Sequence, residues 1–223
     1  MISDKHIKKL LPIVLKVSFT TPGESELYKK EVILGSLQVA GFDTKLSVVN
    51  DDCLIVGKQM QDEGLNPAVL NMASAYHPGG VLNGARAQEE CIFRRSNLFM
   101  SLYRYDRQMY GLVIEPNRDD YTDNLYDLSF IQQGYPMDEN FSGIYSADVT
   151  VFKDGEYEWL YDLYQIAFIS VAAMNINHAL RQGEPVLVDG RLSDRAVAIT
   201  KNKIRTIYRI GILHGHDSLV LGA

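Results

Sequence analysis

Two adjacent carboxylates, Glu89 and Glu90, close the stretch AYHPGGVLNGARAQEE (residues 75–90), behind three glycines, Gly79, Gly80 and Gly84. A flexible backbone feeding a helix N-terminus presents unpaired N–H groups and the positive end of the helix dipole, and so can cradle an anion. The glycines let backbone approach a ligand closely, and the amides of residues 81–85, from Val81 to Ala85, can point at a diphosphate. Carboxylates beside such a cradle repel a phosphate unless they face an uncharged part of the ligand, where a carboxyl group can transfer protons. On a helix, Glu89 and Glu90 diverge by about 100°, which suits two different tasks better than a matched pair of acids. The plainer alternative is a strand-to-helix turn followed by a helix whose first turn favours acidic residues. The stretch is neither a Walker loop nor a dinucleotide fingerprint, since it lacks Gly-Lys-Ser/Thr and GxGxxG.

The elements around it place the loop at a sheet edge. PAVLNMAS (67–74) reads as a short buried strand, and a helix is expected over residues 85–103, with Ile92, Phe93, Leu98, Phe99 and Leu102 as its apolar contacts. The glycines then lie at the carboxyl end of a strand, where α/β sheets bind ligands. Upstream, TKLSVVN (44–50) predicts a strand, followed by a helix capped by an Asp at 51–52 and closed by Gly64. Downstream, strands are expected at 110–117, 144–154 and 163–173, the last nearly all apolar as a central parallel strand should be, with an irregular excursion over 118–142. The segment 191–216 predicts a long helix capped by Ser193 and ended by Gly215, with Ala196, Val197, Ile204, Ile207 and Ile210 on its buried side. A strand starts at DSLVLGA (217–223). The expectation is one α/β domain over residues 1–223, with 1–43 as an N-terminal elaboration.

Composition narrows the function classes. The 223 residues are 46% hydrophobic and carry a net charge of −6, which gives no basic footprint for nucleic acid; an anionic ligand must meet a local patch. Arg86 is a candidate for that patch, whereas Arg94 and Arg95 are expected on a solvated helix face. The two cysteines, Cys53 and Cys91, form no CxxC pair, so no disulfide framework or zinc cluster is indicated and a cytoplasmic location is expected. No stretch reaches the roughly 20 apolar residues that span a bilayer, so no membrane contact is expected. His214 and His216 form an HxH pair without a third ligand nearby in sequence, which argues against a metal. No cofactor is expected.

The string NMASAYHPGGVLNGARAQEECIFRRSNL resembles the signature of the bacterial-type poly(ADP-ribose) glycohydrolases of the macrodomain superfamily: an Asn-bearing strand, Pro, a glycine run, six to eight residues, then Gln-Glu-Glu. Here the run is Gly79-Gly80-Val81 and the triplet is Gln88-Glu89-Glu90, with Val81 in place of the third glycine. YSADVTVFKD, VAAMN and GHDSLVLGA are also similar to later strands of that family. The resemblance implies a macrodomain-like mixed, largely parallel sheet flanked by helices, and an enzyme that cleaves the ribosyl O-glycosidic bond of ADP-ribose polymers on modified proteins. It implies Glu90 as general acid/base and Glu89 as holder of ribose hydroxyls, with Asn71, Gly79, Gly80, Val81, Asn83, Gly84, Ala85 and Gln88 around the ligand. Asn71 and Asn83 are matched by a plainer reading, as loop and turn residues. The family continues past LVLGA with a second glycine-rich loop and a stacking aromatic, so a truncated C-terminus is expected here. Two further readings stay open: a non-catalytic ADP-ribose binder, and a scaffold that has lost the site.

Overall fold

The structure, a computed structural model, describes residues 23–35, 43–79, 85–107, 109 and 131–222. In chain order its elements are β1 (Ser25–Tyr28), α1 (Cys53–Asp62), β2 (Pro67–Met72), α2 (Gln88–Arg95), α3 (Leu98–Tyr103), β3 (Gly143–Lys153), β4 (Trp159–Val171), α4 (Ile176–Arg181), β5 (Leu187–Val188), β6 (Arg191–Leu192), α5 (Asp194–Leu213) and β7 (Ser218–Val220). Five strands form one sheet in the order β1-β3-β4-β2-β7, and β5 pairs with β6 as a separate ribbon. The sheet is mixed: β2 is parallel to both β4 and β7, whereas β3 is antiparallel to β1 and β4.

Helices cover both faces. Leu54, Ile92, Phe93 and Leu98 from α1, α2 and α3 pack with Val69, Val149, Ile166 and Phe168 on one face. On the other, Ile210 of α5 packs with Ala68, Ala167, Ile169 and Val171. The alternation of residues 166–171 between the two clusters is the period-two signature of a strand buried on both faces. Asp52 caps α1 by accepting from Leu54 N at 3.0 Å, and its other oxygen pairs with the buried Arg95 at 2.8 Å, tying α1 to α2. No helix of the described residues is long and apolar enough to cross a membrane.

Several expectations change. Residues 43–50 form no strand: Leu46 and Val48 are 88% and 96% exposed, and alternation makes a strand only where a neighbour and a core accept it. The helix expected over 85–103 is two helices, because Ser96 turns extended and bridges to Val151. Asn97 then exchanges hydrogen bonds with Thr150, Thr150 N donating to Asn97 Oδ1 at 2.8 Å and Asn97 N to Thr150 O at 3.1 Å. β4 meets a parallel partner on one side only. On α5 the capping by Ser193 holds, but the buried stripe runs Ala196, Ile199, Lys203, Thr206 and Ile210, and Ile204 is exposed. Lys203 fits there because Nζ donates to Asp138 O and Ser142 O at 2.5 and 3.3 Å. The strand expected at 110–117 and the excursion to residue 130 lie outside the described residues; 131–142 is irregular and partly buried.

His214 and His216 turn to tyrosines: Tyr28 Oη and His214 Nε2 share a hydrogen bond of 2.8 Å, and Tyr145 Oη and His216 Nε2 one of 3.0 Å. Among the described residues no group of His, Cys, Asp and Glu could hold a metal ion.

Candidate active site

α2 starts at Gln88, so Gln88, Glu89 and Glu90 form its first turn, facing the carboxyl end of β2. Gln88 zips the two together. Its Oε1 accepts from Met72 N at 2.7 Å, and its Nε2 donates to Leu70 O at 3.0 Å and to Cys53 Sγ at 3.6 Å. The described pairing of β7 with β2 ends at Val69, so the Gln88 amide serves β2 as the next stretch of a strand would. Sheet-edge N–H and C=O groups need such partners when buried.

Glu89 is 2% exposed and sits behind the loop that leaves β2. Oε1 accepts from Asn71 Nδ2 at 3.0 Å, and Oε2 accepts from Ser74 N at 3.1 Å and Gly79 N at 2.8 Å. One carboxylate thus gathers the strand end and both ends of the 74–79 loop. Asn71 is itself steadied by Ser170 of β4, its Nδ2 donating to Ser170 Oγ at 3.0 Å. Burial pushes the Glu89 carboxyl up to about 7; the hydrogen bonds from Asn71, Ser74 and Gly79 oppose that shift, and the charge of Glu90 adds to it. Glu90 is 7% exposed, beside it on the same turn.

Gly79 has φ +67°, and a Cβ built there would lie 2.6 Å from the Phe93 ring. Both facts call for glycine. Gly79→Ala meets the left-handed penalty of about 1–2 kcal/mol and an overpacking cost of about 1–3 kcal/mol. It should lower the thermal midpoint by roughly 5–15 °C in a chain of this length, and weaken ligand binding; an unchanged midpoint would refute the assignment.

The remaining expected residues divide as follows. Asn71, Gly79, Gln88, Glu89 and Glu90 come together in the cluster just described. Ala85 is exposed and its carbonyl accepts from Arg94 Nη2. Gly80, Val81, Asn83 and Gly84 lie outside the described residues. Arg95 is no solvated helix residue: it is buried against Asp52, with Nε donating to Lys153 O at 3.3 Å. Asn175, which ends the VAAMN stretch and is not among the expected site residues, caps α4 by accepting from His178 N at 2.9 Å.

The excursion expected over 118–142 supplies a second wall in its described part, 131–142, through contacts the sequence did not signal. Met137 N donates to Ala75 O at 2.7 Å, which docks residues 131–139 onto the loop. His77 Nδ1 meets the buried Asp106 Oδ2 at 3.1 Å. Tyr103 and Tyr135 are buried within the fields of Glu89 and Asp106, and burial raises both phenols well above their ordinary range. His77 stands openly in the YHPGG string, but nothing in the sequence around Asp106 signals the pairing.

The described residues thus place a buried carboxylate pair in the first turn of a helix, against a loop that ends in a left-handed glycine. The poly(ADP-ribose) glycohydrolase (PARG) of Thermomonospora curvata is similar at 26% identity and TM-score 0.63, over 99% of this chain and 69% of that one. The same enzyme bound to the inhibitor ADP-HPD is similar at 26% identity and TM-score 0.59, over 97% of this chain and 66% of that one. The fold is shared with PARG from Deinococcus radiodurans in complex with ADP-ribose, at 24% identity and TM-score 0.54, over 79% of this chain and 61% of that one. No curated protein matches the chain by sequence. The family described as microbial-type PARG, catalytic domain, matches residues 21–154, which is more than half of the 223 residues, and the chain belongs to that family.

Proposed function

We propose that this chain hydrolyses the ribosyl O-glycosidic bond of poly(ADP-ribose) on modified proteins and releases ADP-ribose, with Glu90 as the proton-transferring residue. The observation that supports the reading is the Gln88-Glu89-Glu90 turn facing the end of β2, with both carboxylates buried; Glu89 shapes the loop there, its oxygens accepting from Asn71, Ser74 and Gly79, and Glu90 takes the acid/base part by resemblance to the family motif. Breaking a ribosyl bond builds oxocarbenium character, and the departing oxygen needs a proton. Glu90 as carboxylic acid gives that proton to the glycosidic oxygen. As carboxylate it then stabilises the positive ribose, and it takes a proton from the water that attacks the anomeric carbon, which restores the acid. Glu89 takes the part of holder of ribose hydroxyls, and Gly79, at the start of the glycine run, lies on the side of the diphosphate. Asn71 holds the Glu89 carboxylate and Gln88 pins the first turn of α2 to β2, rather than acting on the bond.

We read residues 1–223 as one catalytic unit acting in the cytoplasm, a location supported by the two unpaired cysteines, Cys53 and Cys91. The test is to incubate the chain with poly(ADP-ribose) and resolve the products by chromatography, alongside an ADP-ribose titration by calorimetry. Release of free ADP-ribose is expected. Binding without release would reduce the protein to a reader of the polymer, and neither would remove the site.

A further inference from the structure

A cavity of about 190 Å³ opens at the carboxyl end of β4, bounded by Ala172–Asn175, by α4 and by residues 136–139. We propose that it is a subsite for the leaving group, holding the adenosine of the polymer unit from which the terminal ADP-ribose departs. This rests on the reading of the chain as a poly(ADP-ribose) hydrolase.

Position is the first argument. Glu89 is anchored to β2 and to the 74–79 loop, and β2 lies between β7 and β4. On the β7 flank stand Gln88, Met72 and Gly222, where a Cβ on Gly222 would come within 3.0 Å of Gln88 Nε2. The cavity is on the β4 flank and shares Ala75 and Tyr76 with the loop that Glu89 gathers. A bond cleaved between the flanks has one substituent on each side.

Size and chemistry choose the occupant. Pockets that take a whole drug-sized ligand measure about 300–1,000 Å³, so this one has room for part of a substrate, a base with its sugar, and not for a complete ADP-ribose. The Tyr76 and His178 rings stand at its mouth 5.4 Å apart, inclined at 62°. Both are partly exposed, and such surfaces attract a purine face. The lining is otherwise small and apolar at Ala172, Ala173 and Ala179, with Met137 and Met174.

Its polar rim discourages phosphate. Asp138, Glu139 and Glu184 face it, against Arg195, which bonds both glutamates at 2.7 Å, and Lys203, whose ammonium is spent on the carbonyls of Asp138 and Ser142. Burial lowers the Lys203 pKa to about 8, which further limits its value as an anion site. Carboxylates accept from ribose hydroxyls and from an exocyclic amine. An uncharged nucleoside therefore fits this flank, and the diphosphate belongs at the glycine loop.

The experiment uses the full chain carrying Glu90→Gln, so that a short oligomer survives the titration, and compares ADP-ribose with its dimer. The dimer is expected to bind about tenfold more tightly than the monomer. Adding Tyr76→Ala or His178→Ala should erase that preference while leaving monomer affinity within about twofold, with unchanged unfolding midpoints because both side chains are partly exposed. Equal affinity for monomer and dimer, or a preference that survives both substitutions, would overturn the proposal, as would an equal loss for both ligands. Turnover of polymer by the unsubstituted chain is read separately. If it is absent the hydrolase reading fails, while the dimer preference still decides whether the second nucleoside is held.

Discussion

Glu90→Gln should lower ADP-ribose release from polymer by a factor of 10³ or more while changing ADP-ribose affinity by less than about tenfold. The amide keeps the size of the side chain in a buried first turn of α2, but it has no proton to give to the glycosidic oxygen and cannot take one from water. A single group that serves both half-steps removes both when it is lost, which places the loss in the upper part of the range of about 10²–10⁴ of one general acid/base contribution or beyond it. The split between binding and turnover is the diagnostic, since an interaction used only in the transition state lowers kcat without weakening the ground-state complex. Single-turnover kinetics on polymer and calorimetry with ADP-ribose supply the two halves. Near-normal turnover in this variant would move the acid elsewhere, with His77 beside Asp106 as the next group to substitute.

The parts of this site that could be read from sequence are those with side-chain periodicity or a backbone demand. β2 and the second half of β4 showed themselves as apolar runs, β3 as a stretch rich in β-branched and aromatic residues, and Gly79 because only glycine meets a left-handed turn pressed against Phe93. Gln88-Glu89-Glu90 was legible as a helix opening. How Gln88 and Glu89 are tied in was not, because most of the groups they meet, Met72 N, Leu70 O, Ser74 N and Gly79 N, are main-chain groups that any residue would supply. The break between α2 and α3 was hidden for a related reason: Asn97 leaves the helix to pair with Thr150, 53 residues away. Lys203 on the buried stripe of α5 misled in the same manner, since its partners are carbonyls of Asp138 and Ser142. Residues 44–50 show the converse error, an alternation with no neighbouring strand to receive it.

Glu89→Gln should differ from Glu90→Gln in kind. Three donors converge on the Glu89 carboxylate, and an amide offers one oxygen and two N–H groups. Whichever way it turns, a donor faces a donor at either Asn71 or the Ser74–Gly79 pair, and a buried unmade hydrogen bond costs about 1–3 kcal/mol. The 74–79 loop should loosen, so ADP-ribose affinity is expected to fall at least a hundredfold together with turnover, without the split seen for Glu90. A pH signature separates this from general damage. Burial raises the folded carboxyl to about 7 from 4.5 in the unfolded chain, so between those values the folded state holds a proton that the unfolded state has released. Stability from this group is therefore present in full below pH about 4.5, declines as pH rises, and is gone above about 7, a change on the order of 3 kcal/mol. Glutamine does not titrate. Denaturant unfolding of both proteins at pH 5 and pH 8 should show the wild-type advantage over Glu89→Gln shrinking toward pH 8. An advantage that is constant with pH, or ADP-ribose binding that survives the substitution, would show that the loop does not depend on this carboxylate.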